Sequence, residues 1–263
     1  MSGAGGGAHT TGPAERRAQG VLAEVRLAAG FLTIIPLLPR RGATDDAVAR
    51  SLGWFPLVGF MLGAAICVED IALGRIFGQV VKSVLVILSI TAITGAVHLD
   101  GLADTADALG AGQDRGRALE ILRDSRIGSF GTAAIFFALT LEILALATIA
   151  GTRRYQALYA AVGLARWAMV AVAAGLDYLR AEGAGSVLLG SDGSRNLAIA
   201  SVVAAGAIAP IFSWRIAGAA IATIVIVAVM RWFYRRWLGG VTGDLVGACG
   251  QIVEVAVLIA MSR

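Results

Sequence analysis

The amino-acid sequence predicts an all-α fold: a polytopic integral membrane bundle of about seven transmembrane helices, with a re-entrant or interfacial helix at the N-terminal end. Three observations predict it. Of the 263 residues, 57% are hydrophobic and 15% charged, with a mean hydropathy of +0.78, a balance foreign to soluble domains of this size. Apolar runs of about 20 residues, the length a hydrocarbon core of about 30 Å demands, recur between short polar connections. The alternation over about ten residues that marks a membrane β-barrel strand is absent.

Taken in order, residues 1–20 read as a flexible tail, with no apolar stretch or cleavage pattern of a secretory signal. The tail's GAGGG follows no strand and precedes no Lys-Ser/Thr pair, so it does not read as a phosphate loop. Residues 21–263 read as a single transmembrane catalytic domain. Its first segment, 21–38, carries Glu24, Arg26 and Pro36 and is short enough to be re-entrant or interfacial. Spans follow at 51–73, 80–98, 132–150, 155–176, 197–214, 216–233 and 243–261. Residues 99–131 form a charged active-site loop holding a surface helix over about 114–124. The 34 glycines let helices approach closely in lipid. Cys67 and Cys249 lie in apolar spans far apart in sequence and read as packing residues.

The cations set the orientation. If segment 21–38 does not cross, one side receives Arg75, Lys82, Arg153, Arg154, Arg215 and Arg263. Arg166 lies within a span, and the remaining fifteen of the 22 Lys and Arg fall on the other side. The richer side is cytoplasmic by the positive-inside rule. If the segment does cross, the excess narrows to twelve against nine, in the same direction. The 99–131 loop therefore faces the cytoplasm of a multi-pass cell-membrane protein. Cations at span edges, despite the net charge of +4, are accounted for by the lipid bilayer and not by nucleic acid.

The chemistry concentrates in HLDGLADTADALG, 98–110. Asp100, Asp104 and Asp107 are spaced i, i+4, i+7, within about 60° of one helical face. Like charges so placed repel and call for a neutralising partner. Hard oxygens with no nearby thiolate, and only His98 as a nitrogen donor, favour magnesium or manganese over zinc. In RDSRIGSFG, 123–131, Arg123 and Arg126 offer forked donors to phosphate, and Asp124 and Ser125 add oxygens. Arg166 needs a partner within its span, and Glu142 and Glu254 are the candidates. Arg180 and Glu182 occupy a glycine-containing loop, and Asp244 stands at the mouth of the last span. Each of these also fits a helix cap or a buried ion pair, and Asp114, Arg115, Arg117 and Glu120 fit a solvated surface helix.

The segments WFPLVGFMLG, HLDGLADTADALG, RDSRIGSFG, ARW, RAEGAG and TGDLVGA together resemble the cobalamin synthase family, the adenosylcobinamide-GDP ribazoletransferases. RAEGAG departs from the family's usual proline after the arginine. The resemblance implies a magnesium-dependent membrane transferase of late vitamin B12 biosynthesis. Such an enzyme joins adenosylcobinamide-GDP to α-ribazole, or its 5'-phosphate, and releases GMP. In that setting Asp100, Asp104 and Asp107 hold Mg2+, with Asp124 or Asp244 completing the shell. The substrate-binding set is Arg123, Asp124, Ser125, Arg126, Arg166, Arg180 and Glu182. A carboxylate or His98 takes the hydroxyl proton, and the choice stays open, as does self-association into a homo-oligomer. Two other readings stand beside it. One is a CDP-alcohol phosphotransferase-like enzyme, which shares D-G-x-x-A but carries arginine where this chain has Asp104. The other is an ion-coupled transporter using Glu142, Arg166 and Glu254.

Overall fold

The computed structural model describes residues 13–35, 45–112, 114–124, 126–180 and 193–263, with side chains from Gly20 onward. Ser125 and Glu182 lie outside the described residues. Among the described residues the chain is helical, with one isolated β-bridge between Tyr178 and Val241.

Helix α1 (Pro13–Leu32) begins with proline, whose missing N–H has no partner to lose in a first turn. Residues 13–20, expected in the tail, are therefore its opening turns. Its buried face carries Leu27, Ala28 and Leu32. Glu24, 7% exposed, accepts hydrogen bonds from Arg50 Nε at 2.7 Å and Trp54 Nε1 at 2.9 Å. These bonds pin α1 to α2 (Asp45–Ser51) and the 3-10 turn that leads into α3 (Phe55–Leu73). α1 is not among the helices long and apolar enough to cross a membrane, consistent with an interfacial segment.

Six helical units are long and apolar enough to cross. They are the continuous rod Asp45–Leu73, α7 (Ser129–Thr148), α8 (Thr152–Ala173), α9 (Gly193–Ile208) with its 3-10 extension to Ile211, α10 (Trp214–Trp237) and α11 (Gly243–Met261). Helices α4 (Gln79–Ile93) and α5 (Val97–Leu109), bent by 87°, meet the same test as a pair, a broken span or a re-entrant loop, so the crossings number six, or seven with the pair as one span. The chain is a multi-pass helical membrane protein. At its centre is α8, buried along most of its length and flanked by α3, α9, α10 and α11. Its row of small residues, among them Ala160, Ala161, Ala165 and Ala168, permits this close packing.

Two sequence expectations change here. The span expected at 80–98 ends at Ile93, because Gly95 (φ +64°) and Ala96 (φ +57°) are both left-handed, a conformation no helix continues through. The Ile34 N–H caps the freed Ile93 carbonyl at 2.8 Å. The aspartates, placed by their spacing on one helical face within the 99–131 segment, lie on α5, packed against α11 and α7. The surface helix expected over 114–124 is α6 (Arg115–Ile121), N-capped by Asp114, which accepts the Arg117 N–H at 3.0 Å.

The bundle has two distinct ends. At one, Gln79 Nε2 reaches the Ile149 carbonyl, and Arg153 and Arg215 both reach the Arg263 carbonyl. Just inside that end, fully buried Asp70 holds Lys82 at 3.0 Å and Arg154 at 2.7 Å. The other end gathers the start of α11, the exits of α5 and α8, and the entry of α7.

Candidate active site

Helix α5 brings the acidic motif to that second end. Asp100 is exposed, and Asp104 and Asp107 are half-buried. Among the described residues, no hydrogen bond or ion pair engages the Asp100 or Asp104 carboxylate. Asp107 is committed: its two oxygens accept the Gly128 N–H at 2.7 Å and the Gly131 N–H at 2.9 Å. These donors open α7, whose first amides lack intrahelical acceptors, so Asp107 caps α7 from another helix. A Cβ on Gly131 would come within 2.4 Å of the Asp107 carboxylate. The two motifs that stand out in the sequence, 98–110 and 123–131, are thus joined by direct bonds.

Asp244 reaches the site from the first turn of α11, whose N-cap is Thr242. Gly101 of α5 lies so close that a Cβ there would sit 2.7 Å from the Asp244 carbonyl oxygen. Past the end of α8, the chain pairs with the strand-like approach to α11: Leu179 N–H bonds the Val241 carbonyl at 2.9 Å, and Val241 N–H the Asp177 carbonyl at 2.8 Å. This pairing delivers Arg180, whose Nη2 donates to both Asp244 Oδ2 and the Leu122 carbonyl. Thr242 Oγ1 bonds the same Asp244 oxygen at 3.2 Å. Asp104 lies within electrostatic range of Asp100, Asp244, Asp107 and Arg180.

The second motif supplies exposed charge. Asp124 accepts from the Arg126 backbone N–H at 3.1 Å and from its guanidinium at 2.7 Å. That pairing holds the Asp124 carboxyl below its ordinary range. Arg123 is exposed. With Asp114, Arg117 and Glu120, Asp124 and Arg126 line an open cleft of about 500 Å³.

Arg166 and His98 belong elsewhere. Arg166, expected to bind substrate, is 1% exposed and donates to Glu254 at 2.5 Å. His98, 6% exposed, lines the same interior pocket with Thr94, Glu142, Gln251 and Glu254. Gln251 Nε2 donates to Glu142 at 2.7 Å. This cluster is inside the bundle, away from the mouth where Arg180 and Asp244 meet.

The carboxylates expected to share a metal are not assembled into one shell. Among the described residues, no three His, Cys, Asp or Glu side chains converge as a ready metal site. Asp107 is occupied by backbone amides and Asp124 by Arg126, which leaves Asp100 and Asp104 as the unengaged hard donors. Two such carboxylates fit magnesium, which commonly takes one or two from protein and leaves other positions to phosphates. Sequence reasoning missed Gly101 and Thr242. The glycines of RDSRIGSFG, Gly128 and Gly131, are a visible signal of close backbone approach, here to Asp107, while the Leu122 carbonyl leaves none.

The fold and this mouth define a multi-pass membrane protein with an acidic, arginine-bridged site at one end of its bundle. The family model for Cobalamin-5-phosphate synthase matches residues 24–262, and the chain belongs to that family. A protein of Syntrophobacter fumaroxidans named adenosylcobinamide-GDP ribazoletransferase is 38% identical, over 89% of this chain and 95% of its own. Proteins of the same name from Desulforamulus reducens and Bradyrhizobium diazoefficiens are 34% and 36% identical. They cover 90% and 94% of this chain, and 95% and 96% of their own lengths. No solved structure matches the chain.

Proposed function

We propose that the chain is an adenosylcobinamide-GDP ribazoletransferase of cobalamin biosynthesis, joining adenosylcobinamide-GDP to α-ribazole or its 5'-phosphate at the mouth built by α5, α6, α7 and α11. Family membership over residues 24–262 carries this reading and favours it over a CDP-alcohol phosphotransferase or an ion-coupled transporter. The ribose 3' hydroxyl attacks the phosphorus attached to the aminopropanol arm. A new P–O bond forms, the bond to the GMP oxygen breaks, and GMP departs with the electron pair.

The chain's own groups suit that exchange. Arg180, fixed between Asp244 and the Leu122 carbonyl, presents guanidinium charge to diphosphate oxygens, and exposed Arg123 and Arg126 extend the cationic approach. Asp100 and Asp104 would hold Mg2+, with Asp244 beside them. An ion held there would supply charge neutralisation during the phosphoryl exchange. Asp107 acts one step back, fixing the start of α7 against α5. Because His98 lies in the interior cluster, the hydroxyl proton passes to a carboxylate of the mouth. The site faces the cytoplasm, where the nucleotide substrate is made.

The test is GMP release from adenosylcobinamide-GDP and α-ribazole by the purified protein, with Mg2+ withdrawn by EDTA and restored. Turnover that returns only with the divalent ion supports the assignment. Full turnover in EDTA removes the metal role. No GMP under any condition removes the activity.

A further inference from the structure

Helices α9 and α10 are joined by a short connection and both pack on α8, yet they hardly touch each other. Between them runs a groove of about 590 Å³ that opens sideways from the bundle. Its walls are apolar, with Leu197 from α9, Ile224 and Val227 from α10 and Trp167 on the floor. Trp167 Nε1 donates to Ser201 at 3.0 Å, so the floor offers no unmet polar group there.

The groove ends in charge. Arg231 and Arg235, one turn apart on α10, line it with Trp232, which is 65% exposed. Arg231 is fixed in place by donating from Nη1 to the Ala171 and Val172 carbonyls at 2.7 and 3.0 Å. Those carbonyls belong to the last turn of α8, so this head of the groove lies at the same end of the bundle as Arg180 and Asp244. No carboxylate pairs with Arg231 or Arg235 among the described residues. Two like charges at i, i+4 repel, and at a membrane interface the abundant anion is a lipid phosphate. Tryptophan beside such a pair suits the headgroup level.

We propose that this groove binds one phospholipid with an anionic headgroup, its acyl chain along Leu197, Ile224 and Val227 and its phosphate between Arg231 and Arg235. Nothing in the transferase chemistry uses these residues, and the site stands whether or not that reading does. An apolar wall with two cations at one rim, neither paired with a carboxylate among the described residues, complements an anionic amphiphile. A helix of a second copy would have to bring its own acids to the same height.

The test measures lipid retained by the detergent-purified full chain after incubation with phosphatidylglycerol or phosphatidylcholine, read by native mass spectrometry. Phosphatidylglycerol is retained in preference to phosphatidylcholine. Arg235→Gln, which leaves the Arg231 carbonyl contacts intact, lowers phosphatidylglycerol retention about fivefold. Ala228→Trp, which fills the groove, abolishes retention while melting temperature and monodispersity stay unchanged. Equal retention of the two lipids overturns the proposal, as does an unchanged Arg235→Gln. Displacement of the lipid by millimolar glycerol 3-phosphate would mark a free-phosphate site and overturn it. Dissociation of a dimer by Ala228→Trp would mark a subunit interface and overturn it too.

Discussion

Asp104 and Asp107 sit three residues apart on one helix and do different work. Asp104 is half-buried and, among the described residues, without a hydrogen-bond or ion-pair partner; three other carboxylates lie close to it and Arg180 offsets their charge in part, so we propose that a divalent ion binds beside it. Asp104→Asn is expected to lower turnover by about 10²- to 10³-fold while substrate retention changes only a few-fold, measured by GMP release and by equilibrium binding. Asp107 spends both oxygens on the α7 amides. Asp107→Asn places an NH2 group against one of those donors and is expected to cost about 1–3 kcal/mol of stability, read as a lower midpoint in denaturant. The shared face of the trio was legible in its i, i+4, i+7 spacing. That one member caps a different helix was not, because its partners lie 21 and 24 residues away and no local pattern encodes them. Arg166 shows the converse: a mid-span charge announces a need for a partner, and Glu254, one of two candidates read from sequence, is that partner.

At the scale of elements, the right-angle break between α4 and α5 creates the site. Without it, the apolar helix would carry His98 and Asp100 straight onward instead of laying α5 across α11. The sequence hid the break because apolar residues continue through it and no proline marks it. Its trace is Gly95, next to an Ala96 held in a conformation that ordinarily disfavours a side chain. The docking of α5 depends on Gly101, which presses on the Asp244 backbone. Gly101→Ala inserts a methyl 2.7 Å from a carbonyl oxygen that is part of the α11 entry and cannot move alone. We expect a loss of about 1–3 kcal/mol from overpacking and a fall in turnover, with helix content by circular dichroism unchanged. Wild-type turnover in Gly101→Ala would show that the α5–α11 contact does not set the geometry of the mouth. Elements that are apolar along their whole length with clear polar ends, such as α7 and α11, lie within a few residues of their sequence-read bounds, because bilayer thickness fixes their length.

Among the described residues, apart from Glu24 with Arg50, buried charge is concentrated in two places, and each constrains how the bundle can sit in a membrane. In the interior, Arg166 and Glu254 are mutually dependent: Arg166→Met alone strands a buried carboxylate and is expected to destabilise by about 3–5 kcal/mol, whereas adding Glu254→Leu restores much of that loss, as thermal unfolding in detergent would show. Near the end opposite the site, Asp70 absorbs Lys82 and Arg154. Those two cations, counted as loop charges when orientation was read from sequence, are therefore interior groups. Of the cations assigned to the opposite end from sequence, Arg75, Arg153, Arg215 and Arg263 remain. By the positive-inside rule we expect the site end to be the cytoplasmic one. Single cysteines at Glu120 on α6 and at Arg153 on the opposite end, both exposed positions, separate the two orientations. In intact cells an impermeant maleimide is expected to label Arg153→Cys and spare Glu120→Cys until the membrane is opened, with the unsubstituted chain as control for Cys67 and Cys249. The reverse pattern would put the acidic mouth on the outer face, out of reach of a nucleotide substrate made inside the cell, and the phosphoryl-transfer assignment would fail with it.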